Sequence, residues 1–160
     1  MKRHTYLPLA AVAVTAASLL ASCEKKSDNG PIDGAWVMQE HYTRAADTPD
    51  AGYTVNTGVS NAPTIWSFQL NLLSIRTPYA MHNGFTPESV ARFNLSGSEL
   101  TVGPIYIHFR DRDSLMTSPD AAGFETVGVQ TPETHFRVPV LTSSRMVLCS
   151  SRDSLVFRKS

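Results

Sequence analysis

The sequence predicts an all-β domain made of antiparallel strands. Short segments in which apolar and polar residues alternate recur along most of the chain, and this period of two is typical of strands with one face in a core. Turn-favouring residues such as Gly, Ser, Asn and Pro separate these segments. No segment longer than a turn or two shows the helical period of about 3.6 residues. Roughly eight or nine antiparallel strands joined in sequence indicate a closed barrel or a β-sandwich.

The first predicted strand opens near Trp36, within the segment Gly34–Tyr42, where aromatic and β-branched residues mix with polar ones. Residues 43–63 are rich in Ala, Asp, Pro, Gly, Asn and Thr. This composition predicts a long exposed connection, in which Tyr53–Val55 is the candidate for a short strand.

Apolar residues alternate again from Trp66 to Leu72. The apolar phase then switches to Leu73 and Ile75, and a bulge near Leu72 and Leu73 would produce that switch. Residues 77–87 follow with two prolines, a glycine and an Asn-Gly pair, which predict a turn-rich loop.

The second half of the chain is predicted to form a meander that ends in a hairpin. Ser96–Ser98 is a compact hairpin signal, and Ser150–Asp153 marks the last turn. Residues 116–132 predict a loop with a weak strand at Phe124–Val129. The other strands of this half are predicted at Val90–Leu95, Glu99–Val102, Ile105–Phe109, Phe136–Val140, Arg145–Cys149 and Leu155–Phe157.

The first 22 residues have the features of a secretory signal peptide. Lys2 and Arg3 give a basic start, and the mostly apolar stretch Tyr6–Ala21 follows. A membrane-spanning helix needs roughly 20 apolar residues, and this shorter stretch is interrupted by Thr15 and Ser18. We therefore expect the segment to be removed and not to remain as a membrane span.

The ending at residues 20–23, Leu-Ala-Ser-Cys, resembles the lipobox of bacterial lipoproteins. The resemblance implies cleavage before Cys23, a diacylglyceryl group on its thiol, and acylation of the new amino end with a fatty acid such as palmitate. Several acyl chains on one residue anchor a protein stably in a membrane. The expected organisation is a lipoprotein signal peptide at 1–22, the lipidated cysteine and a tether at 23–31, and one folded domain at 32–160. The expected location is the cell envelope, on the outer membrane.

Charge and cysteine content exclude other classes of protein. With Lys2 and Arg3 removed, 12 of the 14 Lys and Arg residues remain against all 14 Asp and Glu residues, so we expect no nucleic-acid partner. Once Cys23 carries the lipid, Cys149 is the remaining thiol and no internal disulfide can form. Because Cys149 ends the apolar run Met146–Cys149, we expect its thiol to be buried and inert.

Three features at the two ends of the chain occur together: Cys23 with its short polar tether, Ile32–Trp36 at the first strand, and the terminal hairpin Leu141–Leu148 to Leu155–Lys159. In these features the chain resembles the lipocalin-like lipoproteins common in the Bacteroidetes. The resemblance implies an antiparallel, up-and-down barrel of eight strands.

The same resemblance implies roles for residues at one end of the barrel. Gly34 and Trp36 correspond to the family's Gly-x-Trp motif at the closed end. In this family an arginine near the last strand packs on that tryptophan. Arg158 is the best match, with Arg152 and Arg145 as rivals.

The sequence does not single out catalytic residues, a metal site or a cofactor site. His41, His82, His108 and His135 are far apart, and none occurs in a His-x-His or His-Glu-x-x-His spacing. The mature chain has no Gly-x-Ser-x-Gly motif and no Gly-rich phosphate loop. We therefore expect a protein that is not an enzyme and binds no metal and no cofactor.

Two functions remain open. The first is binding of a small apolar ligand inside the barrel or at its mouth. The aromatic residues expected to contact this ligand are Trp66, Phe68, Phe93, Phe109 and Phe136. The alternative is a structural or protein-interaction component of the envelope that acts through the loops at 43–63 and 77–87. Aromatic side chains that fill the barrel would favour the alternative.

Overall fold

The computed structural model describes residues 27–44, 54–55, 63–77, 88–108, 112–117, 124–129 and 131–160. Within these ranges it contains ten strands in one sheet, the short 3-10 turns Gly30–Ile32 and Phe124–Val127, and no α-helix. The strands are β1 (Gly34–Thr43), β2 (Thr54–Val55), β3 (Ile65–Gln69), β4 (Leu72–Arg76), β5 (Glu88–Ser96), β6 (Glu99–His108), β7 (Asp113–Leu115), β8 (Thr134–Leu141), β9 (Arg145–Cys149) and β10 (Asp153–Lys159). None of the helices in this part of the chain is long and apolar enough to cross a bilayer.

Eight of the strands form a closed antiparallel barrel. Their order is β1, β3, β4, β5, β6, β8, β9 and β10, and β10 returns to pair with β1. The closing register sets Trp36 opposite Lys159 and Thr43 opposite Asp153. The short strands β2 and β7 are hydrogen-bonded to β1 and β6. The predicted up-and-down barrel is therefore confirmed, and the β-sandwich is not formed.

The two ends of the barrel differ in their connections. We call the end with the tight turns the closed end, and the end with the long connections the loop end. The closed end has the turns at 70–71, 97–98 and 142–144 and the terminal segments of the domain, whereas the loop end has the connections 44–64, 77–87 and 109–133 and the turn 150–152. The predicted loop at 77–87 lies outside the described residues except for Thr77.

The alternation of apolar and polar residues changes register after Leu72, and a turn causes this change where the sequence predicted a bulge. Leu70 and Asn71 form a turn between β3 and β4, with Leu70 at a positive φ of 56°. The turn directs Phe68 and Leu73 into the barrel and leaves Leu70 and Leu72 exposed. The prediction of one bulged strand is therefore wrong, because a hairpin restarts the alternation.

The hairpin signal at Ser96–Ser98 is confirmed, because Ser96 of β5 pairs with Glu99 of β6. The terminal hairpin of β9 and β10 is also confirmed. The weak strand predicted at Phe124–Val129 is wrong. This segment is a 3-10 turn closed by a hydrogen bond of 3.0 Å from the Val129 N–H to the Phe124 carbonyl.

Alternation along the strands directs the large apolar side chains into the barrel, where they form one core. On β9, Met146 and Leu148 point inward and are fully buried. Cys149 is therefore directed outward, and it is half-buried where the sequence predicted a buried thiol.

Candidate functional site

The N-terminal segment, residues 27–33, packs against the closed end of the barrel. Trp36 is fully buried, and its indole Nε1–H donates a hydrogen bond of 2.7 Å to the Ile32 carbonyl. Gly34 has a φ of +107°, and a Cβ at this position would lie 3.2 Å from Lys159 Cε. A side chain at position 34 would therefore strain the backbone and crowd Lys159. The structure thus places Gly34 and Trp36 together at the end of the barrel.

The cation over Trp36 is Lys159, where the sequence predicted Arg158. Lys159 Nζ lies 5.0 Å from the centroid of the Trp36 ring and donates a hydrogen bond of 3.0 Å to the Pro31 carbonyl. Inward and outward positions alternate along β10, so Lys159 shares a face with the buried Phe157 and Arg158 points outward. The rivals Arg145 and Arg152 do not occupy this position either, since the cation stacked there is Lys159.

Residues at the start of the domain are tied to the turn between β3 and β4. Ser27 Oγ accepts a hydrogen bond of 2.8 Å from the Leu70 N–H and donates one of 2.6 Å to Asp33 Oδ1. Asn29 Nδ2 donates to the Leu70 carbonyl at 2.6 Å. The described part of the predicted tether, 27–31, is therefore attached to the barrel.

These bonds also affect the ionisation of Asp33. Burial opposes the charged form of the carboxyl group. Hydrogen bonds from Ser27 and Asn29 and the charge of Lys159 outweigh that effect, so the pKa of Asp33 lies below its ordinary value. The closed end is therefore held by an ionised carboxylate.

Five aromatic side chains fill the barrel from its middle toward the closed end, and we call them the aromatic layer: Trp66, Phe68, Phe93, Phe136 and Phe157. Their ring centroids are separated by 6.2 Å for Trp66–Phe68, 5.9 Å for Trp66–Phe136, 5.3 Å for Trp66–Phe157 and 5.0 Å for Phe68–Phe93. These separations are typical of aromatic pairs in direct contact. The rings therefore occupy the space between them.

Four of the five aromatic residues predicted to contact a ligand belong to this layer, namely Trp66, Phe68, Phe93 and Phe136. The fifth, Phe109, lies outside the described residues. A ligand contact of these residues stays a prediction. An apolar molecule between the rings would have to displace them.

The interior toward the loop end has a different composition. It contains six buried polar side chains, which we call the polar layer: His41, Thr64, Thr77, Ser89, Thr134 and Asp153. On β5, Ser89 is nearer to the loop end than Phe93, and on β8 Thr134 is nearer than Phe136. The barrel thus has an aromatic half and a half in which polar and apolar side chains mix.

The polar layer contains a hydrogen-bonded group that joins β1 to β10. His41 Nε2 lies 2.7 Å from Asp153 Oδ1, with the side chains 1% and 0% exposed. Thr43 Oγ1 donates to the same carboxylate oxygen at 3.0 Å. Asp153 thus engages the Nε2 atom of the ring, and Nδ1 is the other ring nitrogen of His41.

Three polar atoms of the barrel interior have no hydrogen-bond partner among the described residues: His41 Nδ1, Trp66 Nε1 and Ser89 Oγ. An unsatisfied buried polar atom typically costs about 1–3 kcal/mol. Native interiors contain few of them, and a water or ligand is a common explanation. Each of the three atoms therefore lacks the partner that a bound water or ligand would supply.

The 3-10 turn Phe124–Val127 and the residues after it pack against the interior near the loop end. Phe124, Val127 and Val129 are at most 1% exposed. Gly128 lies against Leu155, because a Cβ at Gly128 would be 2.5 Å from Leu155 Cδ1. This segment therefore covers part of the polar half.

Sequence reasoning missed two of these features. The alternation of Asp153, Leu155, Phe157 and Lys159 on β10 was a usable signal, because it places Lys159 and not Arg158 on the inner face. No local signal marks the His41–Asp153 pair. Within the described ranges, no three His, Cys, Asp or Glu side chains are grouped closely enough to share a metal ion.

Comparison with known proteins agrees with this geometry. A family model described as a lipocalin-like domain matches residues 18–160. A lipocalin-like protein from Bacteroides uniformis ATCC 8492 is similar in structure, with a TM-score of 0.53 and 17% identity over 82% of this chain and 100% of that chain. An uncharacterized protein from Bacteroides eggerthii DSM 20697 has a TM-score of 0.52 and 17% identity over 81% of this chain and 99% of that chain. No curated protein matches the chain.

Proposed function

The chain belongs to the lipocalin-like domain family, and from this premise we propose that it is a lipid-anchored envelope protein that binds a small molecule in the polar layer of its barrel. The expected location is the outer membrane. We propose a binding role without catalysis, because the sequence has no motif of an activated nucleophile.

The unpartnered atoms in the interior carry this proposal. Trp66 Nε1 can only donate a hydrogen bond, whereas the Ser89 hydroxyl can donate or accept one, and the role of His41 Nδ1 depends on whether it carries a proton. A ligand that satisfies all three therefore carries at least one hydrogen-bond acceptor. This chemistry replaces the purely apolar ligand expected from the sequence.

The ligand is expected to have an apolar part as well. The buried side chains of Phe124, Val127 and Val129 belong to the same core as the aromatic layer, and Gly128 beside them lies against Leu155 of β10. A small amphipathic molecule could therefore place its polar groups at the unpartnered atoms and its apolar part against these side chains. Sites of this kind combine a mainly apolar lining with a few polar groups that fix orientation.

The lipobox ending at Cys23 supports the anchor. We expect the mature protein to have a mass that includes acyl chains on Cys23, and Cys23→Ala to abolish acyl labelling and leave unprocessed precursor. The test is metabolic labelling with a fatty acid followed by mass spectrometry. Equal labelling of the wild type and the variant would remove the anchor from the proposal.

Native mass spectrometry of the protein extracted from its own membranes tests the binding role. The expected result is an additional non-covalent mass beyond the acylated chain, released on denaturation. A spectrum that contains only the acylated chain would reject the binding role.

The filled aromatic layer favours one other candidate, a structural or protein-interaction role in the envelope. Trp66 contacts Phe68, Phe136 and Phe157. These contacts stabilise this half of the barrel and occupy the space that a ligand would need. Chemical cross-linking in intact cells tests this candidate. A stoichiometric cross-linked protein together with an empty barrel would favour it over ligand binding.

A further inference from the structure

We propose that the closed end of the barrel rests on an anionic lipid bilayer, with Leu70 and Leu72 at the membrane surface and the loop end directed away from it. The inference rests on the proposed lipid at Cys23. It adds the orientation of the barrel and the residues in contact with lipid, neither of which follows from anchoring alone.

The length of chain after Cys23 limits where the lipid can enter the membrane. Three residues, Glu24, Lys25 and Lys26, separate Cys23 from Ser27, and the four Cα-to-Cα steps of this segment span at most about 14 Å when fully extended. Ser27 is held at the closed end by its hydrogen bond of 2.8 Å from the Leu70 N–H.

The loop end is farther away than this reach. The ten residues of β6 (Glu99–His108) run from one end of the barrel to the other. A strand of this length extends for about 33 Å. A tilt of about 40° leaves a barrel height of roughly 25 Å. The lipid must therefore enter the bilayer near the closed end.

Exposed apolar side chains lie beside this entry point. Leu70 and Leu72 are 40% and 42% exposed. Leu70 lies in the turn to which Ser27 is hydrogen-bonded, and Leu72 begins the strand that follows it. Surface binding to a bilayer grows with the apolar area buried and with attraction to anionic lipids. These two leucines provide exposed apolar area near the point where the lipid on Cys23 would enter the bilayer.

Basic side chains lie at the same end. Arg145 and Arg158 are exposed and directly opposite each other on β9 and β10. Like charges in such positions are destabilising unless a counter-charge is present. They line an outer groove of about 260 Å³ together with Glu40, whose carboxylate accepts a hydrogen bond from the Tyr42 hydroxyl. Anionic lipid headgroups would supply the counter-charge.

The connections at the loop end have the opposite charge. In sequence, the connections 44–64, 77–87, 109–133 and 150–152 together contain seven Asp and Glu residues against four Arg residues. An anionic bilayer repels an acidic surface within about a Debye length. The charge distribution therefore favours contact through the closed end.

A side-on orientation is the competing arrangement. Tyr106 and Leu115, on β6 and β7, are 40% and 50% exposed and would contact the bilayer in that case. Leu115 is therefore a matched control for Leu72, since both are exposed leucines on short strands but at opposite ends of the barrel.

The experiment uses the mature, acylated protein in vesicles of phosphatidylcholine and phosphatidylglycerol. In a Cys149→Ser background, Leu72→Cys or Leu115→Cys carries a fluorophore, and lipids with brominated acyl chains quench it at close range. We expect strong quenching at position 72 and little at position 115. Equal quenching, or stronger quenching at 115, would overturn the orientation.

The mass of the protein shows whether Cys23 is acylated, so failure of the anchor can be distinguished from failure of the orientation. A protein that lacks acyl chains would overturn the anchor and the orientation with it. An acylated protein with an unquenched probe at position 72 would overturn the orientation alone.

A second set of variants tests the basic residues. Each basic residue near an anionic surface strengthens binding about fivefold. The double variant Arg145→Gln with Arg158→Gln should therefore lower the ratio of membrane-docked to undocked barrels by up to roughly 30-fold. Quenching of the probe at position 72 measures this ratio. Arg76→Gln with Arg112→Gln, at the loop end, gives the same net charge and should leave the quenching unchanged. Equal losses in both double variants would show that net charge alone acts, and would overturn the role of the arginines.

Discussion

His41 and Asp153 are joined by a buried hydrogen bond of 2.7 Å, although 112 residues separate them in the sequence. The bond links β1 to β10, the strand pair that closes the barrel. It lies at the loop end of this pair, while Trp36 and Lys159 face each other at the closed end. The first and last strands are therefore fixed by side chains at both ends.

Asp153→Ala should lower the free energy of unfolding by about 3 kcal/mol, because it leaves His41 buried without its partner. The measurement is urea denaturation near neutral pH. Asp113→Ala is the matched control, since Asp113 has the same Arg-Asp-Ser-Leu context and bonds His108 at 2.8 Å, but on the surface. Its effect should stay below about 1 kcal/mol. Equal losses would mean that burial does not strengthen the His41–Asp153 pair.

Lys159→Ala should destabilise the barrel by about 1 kcal/mol, through loss of the contact with the Trp36 ring and of the hydrogen bond to the Pro31 carbonyl. Arg158→Ala removes an exposed neighbour and should change stability by less than about 0.5 kcal/mol. Thermal unfolding of the two variants measures the difference. A larger loss for Arg158→Ala would restore the arginine predicted from the sequence.

Trp36→Ala should cost roughly 3 kcal/mol or more, because it leaves a large cavity under the N-terminal segment. The indole is fully buried and bonds the Ile32 carbonyl. Chemical denaturation measures the loss. A loss below about 1 kcal/mol would show that Trp36 does not support the closed end.

The low pKa of Asp33 predicts how the closed end responds to acid. A depressed folded-state pKa gives stability that is full above the ordinary value of 3.8 and is lost as the pH falls through the folded value. Asp33→Asn should therefore be less stable than the wild type at neutral pH, and the difference should begin to shrink at about pH 4 and disappear once the pH is below the folded-state pKa. Denaturation curves across this range measure it. A difference that does not change with pH would contradict the role of the charge.

Much of the barrel could be predicted because one face of each strand is buried. Residues 136–140 alternate Phe, Val and Val with polar or small partners, and the structure has them as part of β8. The hairpin at Ser96–Ser98 was predictable because Gly97 takes a φ of +60°, a conformation that glycine adopts readily.

The turn at Leu70 could not be predicted in the same way. Leu70 takes a positive φ that leucine rarely adopts, so the composition gave no turn signal. The Leu70 N–H donates to Ser27 Oγ and the Leu70 carbonyl accepts from Asn29 Nδ2, and both partners are far away in the sequence. A tertiary contact therefore determines this local structure.

The two layers of the interior were also beyond sequence reasoning. The sequence pattern places His41 on the first predicted strand, whereas Ser89 and Asp153 lie just before the predicted strands Val90–Leu95 and Leu155–Phe157. Hydrogen-bond pairing across the barrel depends on register and closure. The unpartnered atoms at His41, Trp66 and Ser89 become visible only when every neighbour is in place.

Ser89→Ala tests whether the polar layer binds a small molecule. In the ligand-free protein the variant should gain about 1 kcal/mol of stability, because it removes an unsatisfied buried hydroxyl. In native mass spectra of protein taken from its own membranes, the ratio of ligand-bound to free protein should fall about tenfold for the loss of one hydrogen bond. Ser154→Ala, half-buried on the outer face of β10, is the control and should change neither value. Retention of the ligand by Ser89→Ala at the wild-type level would contradict the claim.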